Sequence, residues 1–164
     1  MRNNNLYFYE VDDEYVEYMS KYDERIMYTK IQNRKFKRKY IGILFEINNN
    51  YYISPLSSYK TKHNKMEEAL DFIKIGDKAV INLNNMFPVK MENIKKVEIE
   101  KENDDNYRQL LRNEYNLCEP KFKKIVKNAK VLYKQVVIYK MPIKNRCCDF
   151  KFLEDKCEKY SNQK

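Results

Sequence analysis

The stretch that decides the fold is residues 40–54, which read YIGILFEINNNYYIS. Its first eight residues are almost all β-branched, aliphatic or aromatic, which is typical of a β-strand. The asparagines at 48–50 supply a turn because asparagine tolerates positive φ, and residues 51–54 return as a second strand. The pattern therefore predicts a β-hairpin.

The segments on either side of this hairpin set the fold class. Further strands are predicted at 6–10, 79–83, 86–91 and 97–100, with Pro88 at an edge or bulge because it lacks a backbone donor. Helices are predicted through 16–19, 66–73, 107–115, 122–132 and 153–160, with caps at Asp12 or Asp13, Asn64 and Asp149. Because strands gather early and helices late, we expect an α+β fold with a mostly antiparallel sheet.

Length and composition bound the class of protein. At 164 residues with 43% apolar content, the chain fits one domain spanning 1–164. It has only two glycines, far apart in the sequence, which excludes the glycine-rich phosphate loops of nucleotide enzymes. The amino terminus has no apolar signal-peptide core, and the longest apolar run, 40–45, is too short for a membrane span. We therefore expect a cytoplasmic protein.

The four cysteines do not form a recognisable metal or disulfide pattern. They stand at 118, 147, 148 and 157, with two of them adjacent and no C-x-x-C spacing. We expect reduced and mostly buried thiols, with no metal and no cofactor.

The excess positive charge is concentrated in residues 30–65. This window holds nine lysines and arginines and one acid, Glu46, so it supplies +8 of the chain's net charge of +9. It also holds the single histidine, His63, and the polar run SSYKTKHN at 57–64. A concentrated patch of this kind, with hydroxyls, lysines and one imidazole, is what binding or cleaving a phosphodiester requires.

RNA can be cleaved with this equipment and without a metal. Each RNA phosphate lies next to a 2′-hydroxyl nucleophile, so an enzyme needs only to align it, assist proton transfer and stabilise the anionic phosphorane. Crowded lysines such as Lys60 and Lys39 can have lowered pKa values that suit proton transfer. The same residues also fit plainer roles: Ser57 and Ser58 as turn residues after Pro55, the lysines as solvated loop residues or phosphate contacts.

The segment ISPLSSYKTKHN at 53–64 permits a specific comparison. It resembles the ToxN/AbiQ family of bacterial type III toxin–antitoxin endoribonucleases, in which a Pro-Leu-(Thr/Ser)-Ser strand end is followed by a lysine and a His-Asn pair. Other similar pieces occur in the family's order, namely LYFY at 6–9, YVEY at 15–18, YIGI at 40–43, INLNNMFPV at 81–89, CDF at 148–150 and LEDK at 153–156.

The resemblance implies a fold, an activity and partners. The fold is a compact, twisted partial barrel like that of the MazF/Kid toxins, with several helices around it. The activity is metal-independent RNA cleavage that leaves 2′,3′-cyclic phosphate and 5′-hydroxyl ends. The partner is a repeat-derived RNA antitoxin, often a pseudoknot, which the toxin processes and which then silences it in a heteromeric assembly. Several members act in abortive phage defence.

The resemblance also assigns residues. The catalytic candidates are Ser58, Ser57, Lys60, Arg38, Lys39 and His63. The family's upstream lysine falls at Arg38, with Lys37 and Lys39 on either side, and an arginine there would clamp phosphate but carry protons poorly. His63 matches the motif in either a catalytic or a structural role. RNA contacts are expected from Lys30, Arg34, Lys35, Lys37, Tyr40, Tyr59, Lys62, Asn64 and Lys65.

Two other readings compete with the nuclease. A non-catalytic RNA-binding regulator could use the same patch. For the nuclease, specificity is expected from unstacked bases that meet tyrosines, of which Tyr28, Tyr40 and Tyr59 lie closest to the patch. A double-stranded DNA binder is disfavoured because no helix concentrates the bases as a recognition helix does.

Overall fold

The described residues form a seven-stranded antiparallel sheet covered by four α-helices. The computed structural model describes residues 5–26 and 40–160. The strands are β1 Phe8–Val11, β2 Tyr40–Ile47, β3 Asn50–Ser58, β4 Phe72–Ile75, β5 Ala79–Asn82, β6 Phe87–Val89 and β7 Ile94–Lys96. The helices are α1 Asp13–Ser20, α2 Asp105–Cys118, α3 Phe122–Val137 and α4 Phe150–Lys159. The strand order is β4-β5-β3-β2-β1-β7, with β6 paired to β3, and the sheet curls into a half-barrel. The predicted α+β class with a twisted antiparallel sheet is confirmed.

The central hairpin forms as predicted. Asn48 and Asn49 have φ values of 54° and 67°, which is the two-residue turn that matches the twist of a hairpin. Gly42 lets the two strands approach closely, because a Cβ there would lie 2.4 Å from the carbonyl oxygen of Ser54. The hairpin is therefore fixed at its turn and at its far end.

Strand β3 is the hub of the sheet because it changes partner along its length. Residues 50–55 pair with β2, residues 51–53 pair on the other side with β6, and residues 56–58 pair with β5. The change falls at Pro55, which has no N–H to give to a ladder. The end of β3 therefore pairs with β5 and no longer with β2.

Helices α3 and α4 hold the hub strand from outside. The hydroxyls of Tyr52 in β3 and Tyr133 in α3 both donate to Oε2 of Glu154 in α4, over 2.5 and 2.6 Å. Phe150 packs against both tyrosine rings, with centroids 5.9 Å from each. One carboxylate and three rings therefore tie both helices to β3.

The predicted helix over 66–73 is wrong. Asn64 does not cap a helix; residues Thr61–Lys65 form a short 3₁₀ helix, and Phe72–Ile75 is strand β4. The apolar residues at helical spacing are overridden by pairing, since Ile73 and Ile75 lie opposite Ile81 and Ala79 of β5. A turn through Gly76, whose φ is 55°, closes this second hairpin.

The other predicted elements differ less from the observed ones. The strand predicted at 97–100 is wrong, because the strand is β7, three residues earlier, and Ile99–Lys101 is a 3₁₀ turn. The three later helices are confirmed, and Asp149 caps α4 by accepting from the N–H of Phe152. Pro88 sits in β6, which pairs only with β3 within the described residues, as an edge position requires.

The four cysteines lie in the interior of the protein. All four cysteines are free and buried, and burial raises the pKa of Cys118 and of Cys147 to about 12. Among the described helices, none combines the length and the apolar content that crossing a bilayer takes.

Candidate active site

The serine pair lies at the end of β3, where that strand has passed its last partner in β2. Ser58 pairs with Ala79 of β5, and Ser57 pairs with Val80. Ser58 is exposed and Ser57 half-buried. The structure therefore places both hydroxyls in a strand rather than in the turn that Pro55 alone would suggest.

Neighbouring residues of a strand point to opposite faces of the sheet, so the two hydroxyls are separated. The ladder continues one residue further, because the N–H of Tyr59 donates to the carbonyl of Lys78 over 3.3 Å. Lys60 is still extended, with φ −120° and ψ 160°. Ser58 and Lys60 thus leave the backbone on the same face, with their Cα atoms roughly 6.6 Å apart at the usual strand rise.

Ser57 belongs to the other face. Its cross-strand neighbours there are Val80 and, beyond it, Lys74 of β4, because directly paired residues share a face. Tyr59 follows on the same side. The motif therefore presents one hydroxyl with Lys60 and the other with Lys74.

His63 braces the backbone of Lys60 from both directions. Its Nδ1 accepts the N–H of Lys60 over 2.8 Å, and its own N–H donates to the carbonyl of Lys60 over 2.9 Å. The ring is 5% exposed and lies between Tyr59 and Phe72, with centroid distances of 5.4 and 5.7 Å. We call these contacts of His63 with residues 59, 60 and 72 the His63 brace.

The brace fixes the protonation state of the imidazole. Burial, and then the charges of Lys62, Lys60 and Lys74, hold the pKa of His63 below its ordinary value. Because Nδ1 accepts a hydrogen bond, the neutral ring carries its proton on Nε2. The nitrogen that a general base would use is therefore already occupied by the loop.

The rest of the loop is open and positive. Lys60, Lys62 and Lys65 are exposed, and among the described residues no carboxylate lies within ion-pair distance of them. The hydroxyl of Tyr59 donates to Oδ1 of Asn64 over 2.7 Å, which closes the loop on itself. We use "motif loop" below for residues 57–65.

Sequence reasoning missed Lys74 and Lys78. Both lie on the β4–β5 hairpin, which pairs with the serine end of β3. The alternation of Phe72-Ile73-Lys74-Ile75 could have shown a strand with a lysine on one face, but the helical spacing of the neighbouring apolar residues hid it.

Tyr40 is the first residue of β2 and follows the basic run at 37–39 directly in the sequence. Its ring packs edge-on against Phe87, with centroids 5.7 Å apart. The side chain is half-buried, and burial raises the pKa of its hydroxyl. Its predicted role in RNA binding stays a prediction.

Much of the predicted patch lies outside the described residues. These positions are Tyr28, Lys30, Arg34, Lys35, Lys37, Arg38 and Lys39. The upstream catalytic position therefore stays a prediction. Within residues 5–26 and 40–160, nowhere do three or more His, Cys, Asp or Glu side chains converge as metal ligands do.

A curled antiparallel sheet whose hub strand ends in a serine pair and a braced basic loop defines a small α+β protein of the half-barrel type. The chain belongs to the ToxN toxin family of type III toxin–antitoxin systems, because the model of that family matches residues 7–158. The predicted family is therefore confirmed.

Individual relatives agree over almost the whole chain. Endoribonuclease ToxN of Bacillus thuringiensis subsp. kurstaki is 26% identical, over 98% of this chain and 87% of its own length. Endoribonuclease AbiQ of Lactococcus lactis subsp. lactis is 24% identical, over 96% and 91%. The names of both relatives agree with the predicted class of enzyme.

A solved toxin structure has the same fold. It comes from work on selective toxin inhibition by a non-coding RNA pseudoknot, and it superposes with a TM-score of 0.79 at 25% identity. The match covers 98% of this chain and 100% of that one.

Proposed function

We propose that this protein is an endoribonuclease toxin that cleaves RNA by attack of the 2′-hydroxyl on the adjacent phosphorus, without a metal ion. The 2′-oxygen forms the new bond to phosphorus, and the bond from phosphorus to the 5′-oxygen breaks. The 2′-hydroxyl loses its proton and the 5′-oxygen gains one. The products are a 2′,3′-cyclic phosphate and a 5′-hydroxyl.

The shared face of Ser58 and Lys60 carries this proposal. A hydroxyl and an ammonium group on one face can act on a single phosphate, the hydroxyl by hydrogen bonding and the ammonium by charge. Lys60 then stabilises the phosphorane or gives the proton to the leaving 5′-oxygen. Ser58 orients a phosphate oxygen or the 2′-hydroxyl.

His63 is a positioning residue in this mechanism. The brace holds the main chain of Lys60, and the lowered pKa keeps the ring neutral at physiological pH. Lys62 and Lys65 add phosphate contacts, and the run at 37–39, joined directly to Tyr40, supplies the upstream cation.

We also propose the partners and the setting. The solved relative inhibited by a non-coding RNA pseudoknot supports an RNA antitoxin that silences the toxin. We propose further that this RNA is derived from repeats and that the toxin processes it. A solved AbiQ structure, described as a lactococcal anti-phage endoribonuclease, has a TM-score of 0.76 at 21% identity and supports the fold that such a role uses. Abortive phage defence from the cytoplasm, by one domain spanning 1–164, is the setting that fits.

The test is cleavage of a mixed-sequence RNA by purified protein in EDTA, with the product ends mapped. Wild type should leave cyclic phosphate ends, and Ser58→Ala should lower the rate by about a hundredfold to a thousandfold, as loss of one transition-state donor does. Ser20→Ala is the control, because that hydroxyl bonds only within α1, to the carbonyl of Glu17. RNA bound tightly but left intact by wild type would favour the non-catalytic regulator.

A further inference from the structure

The three long helices differ in how they carry charge. Helix α2 has Arg108 paired with Asp105, and α4 has Lys159 paired with Asp155, at the spacing that stabilises an exposed helix. Helix α3 has five lysines and no acid over its 16 residues. It therefore has no such pairs within itself.

Four of these lysines form a single row along α3. Lys123, Lys127, Lys130 and Lys134 follow one another at spacings of four, three and four residues, so they share one face. The row is about 16 Å long at the rise of an α-helix. We call it the α3 lysine row.

The row faces away from the core. The buried residues of α3, which include Ile125, Ala129 and Leu132, lie on the opposite side of the helix. All four lysines are exposed, and none forms an ion pair with an acid in residues 5–26 or 40–160. The row is thus free to meet a partner.

The arrangement costs helix stability. Like charges four residues apart, such as Lys123 with Lys127 and Lys130 with Lys134, repel one another. Lys123 also stands in the first turn, where the helix dipole favours acids. A solvated face would gain from glutamates here, so stability does not explain the row.

The row begins beside the segment that follows the motif loop. Glu68 accepts from Lys121 and from Lys124, each over 3.2 Å, and its Oε1 also accepts the N–H of Lys74. Lys74 lies opposite Val80 of β5, the residue that pairs with Ser57 on the other side of that strand. One carboxylate therefore joins the first turn of α3 to β4, which is separated from the serine pair by β5.

We infer that the α3 lysine row binds the phosphate backbone of RNA that extends beyond the cleavage site, above all the RNA antitoxin. This rests on the proposed function, which it deepens by naming a second contact surface. Lysines in a row read phosphates and not bases, so the row adds affinity without sequence preference. A short substrate that fills only the motif loop does not reach it.

The test compares two fourfold variants of equal charge. The first changes Lys123, Lys127, Lys130 and Lys134 to Gln, which has a similar helix propensity, so α3 should stay folded. The control changes four exposed lysines on other elements to Gln, namely Lys21, Lys95, Lys101 and Lys159.

Binding is measured in a Ser58→Ala background with a long RNA hairpin that carries a single-stranded tail, over a range of salt concentrations. The row variant should bind at least about tenfold more weakly, and the slope of log affinity against log salt should fall by about three, close to one per lost contact. Cleavage of a short single-stranded oligonucleotide, with Ser58 intact, should match wild type.

Each other outcome has a distinct meaning. If the row and control variants bind the hairpin equally, the inference fails, whether or not wild type cleaves RNA. If only binding to phosphatidylserine vesicles is lost, the row is a membrane surface and the inference also fails. If wild type cleaves nothing but the row variant still loses hairpin affinity, the proposed nuclease fails and the row stands as an RNA contact.

Discussion

The motif loop and the α3 lysine row are both rich in lysine, yet they are built in different ways. In the motif loop the backbone of Lys60 is held by two hydrogen bonds to His63, and the ring of His63 is buried. In the row each lysine stands on the outer side of a regular helix. The motif loop therefore provides a fixed position, as catalysis requires. The row provides accumulated positive charge, as affinity for RNA requires.

The largest effect should come from Lys60. Lys60→Met should lower single-turnover cleavage by about a hundredfold or more, in the range of general acid catalysis, with a smaller change in RNA affinity. Lys60→Arg separates two roles, since arginine keeps the charge but does not give up a proton. Rescue by arginine would indicate charge stabilisation, whereas failure of both variants would indicate proton transfer. A wild-type cleavage rate in Lys60→Met would show that the motif loop, like the α3 lysine row, contributes charge and not a fixed catalytic position.

Next comes the His63 brace. His63→Leu should slow cleavage by about tenfold, because the N–H of Lys60 loses its acceptor and a misplaced group costs rate. His63→Asn should recover part of the loss, since its Oδ1 can occupy the place of Nδ1 but cannot titrate near neutral pH. If asparagine and leucine are equally inactive while both proteins stay folded, the ring acts in proton transfer and the brace is not its main role.

The buried position of His63 in the brace should also affect how the stability of the protein depends on pH. The pKa of His63 is lowered in the folded protein, so the unfolded chain binds the proton more readily. Stability should therefore be complete above the ordinary value of about 6.5 and should fall as the pH drops below it. The thermal midpoint measured from about pH 7.5 down to about 5.5 tests this, because His63 is the single histidine in the chain. A His63→Asn variant with the same slope would assign the effect to other groups.

The smallest effect should come from one lysine of the row. Lys127→Gln should change hairpin affinity only a few-fold and reduce the salt slope by about one, because each phosphate contact contributes separately. A salt titration against wild type measures both quantities. A loss as large as that of the fourfold variant would mean that Lys127 makes a specific contact, as we propose for Lys60 in the motif loop.

The sequence predicted those parts of the fold in which local pattern and tertiary pairing agree. The hairpin at 40–54 has strand formers on both sides of asparagines with positive φ, and α2 to α4 have clear apolar stripes. Residues 66–73 were mispredicted because their apolar spacing suits a helix, while pairing of Ile73 with Ile81 makes a strand.

The residues of the candidate site stay a prediction, and their arrangement could not be predicted from the sequence. The motif gave Ser57, Ser58, Lys60 and His63 in order, yet their faces depend on which strand pairs with the end of β3. That partner, β5, follows from long-range pairing that spacing alone does not determine. The acceptor role of His63 Nδ1 likewise depends on a 3₁₀ turn at Thr61–Lys65, which was not predicted from the sequence.

The link between β3 and α4 has a consequence for synthesis of the protein. Tyr52 and Glu154 are 102 residues apart, and the carboxylate that secures the hub strand is therefore made long after the strand itself. At bacterial translation speeds this interval is roughly 5 to 20 seconds. During it, β3 exists without the helix that holds it from outside. We expect a nascent chain to stay harmless to its own messenger until α4 has left the ribosome.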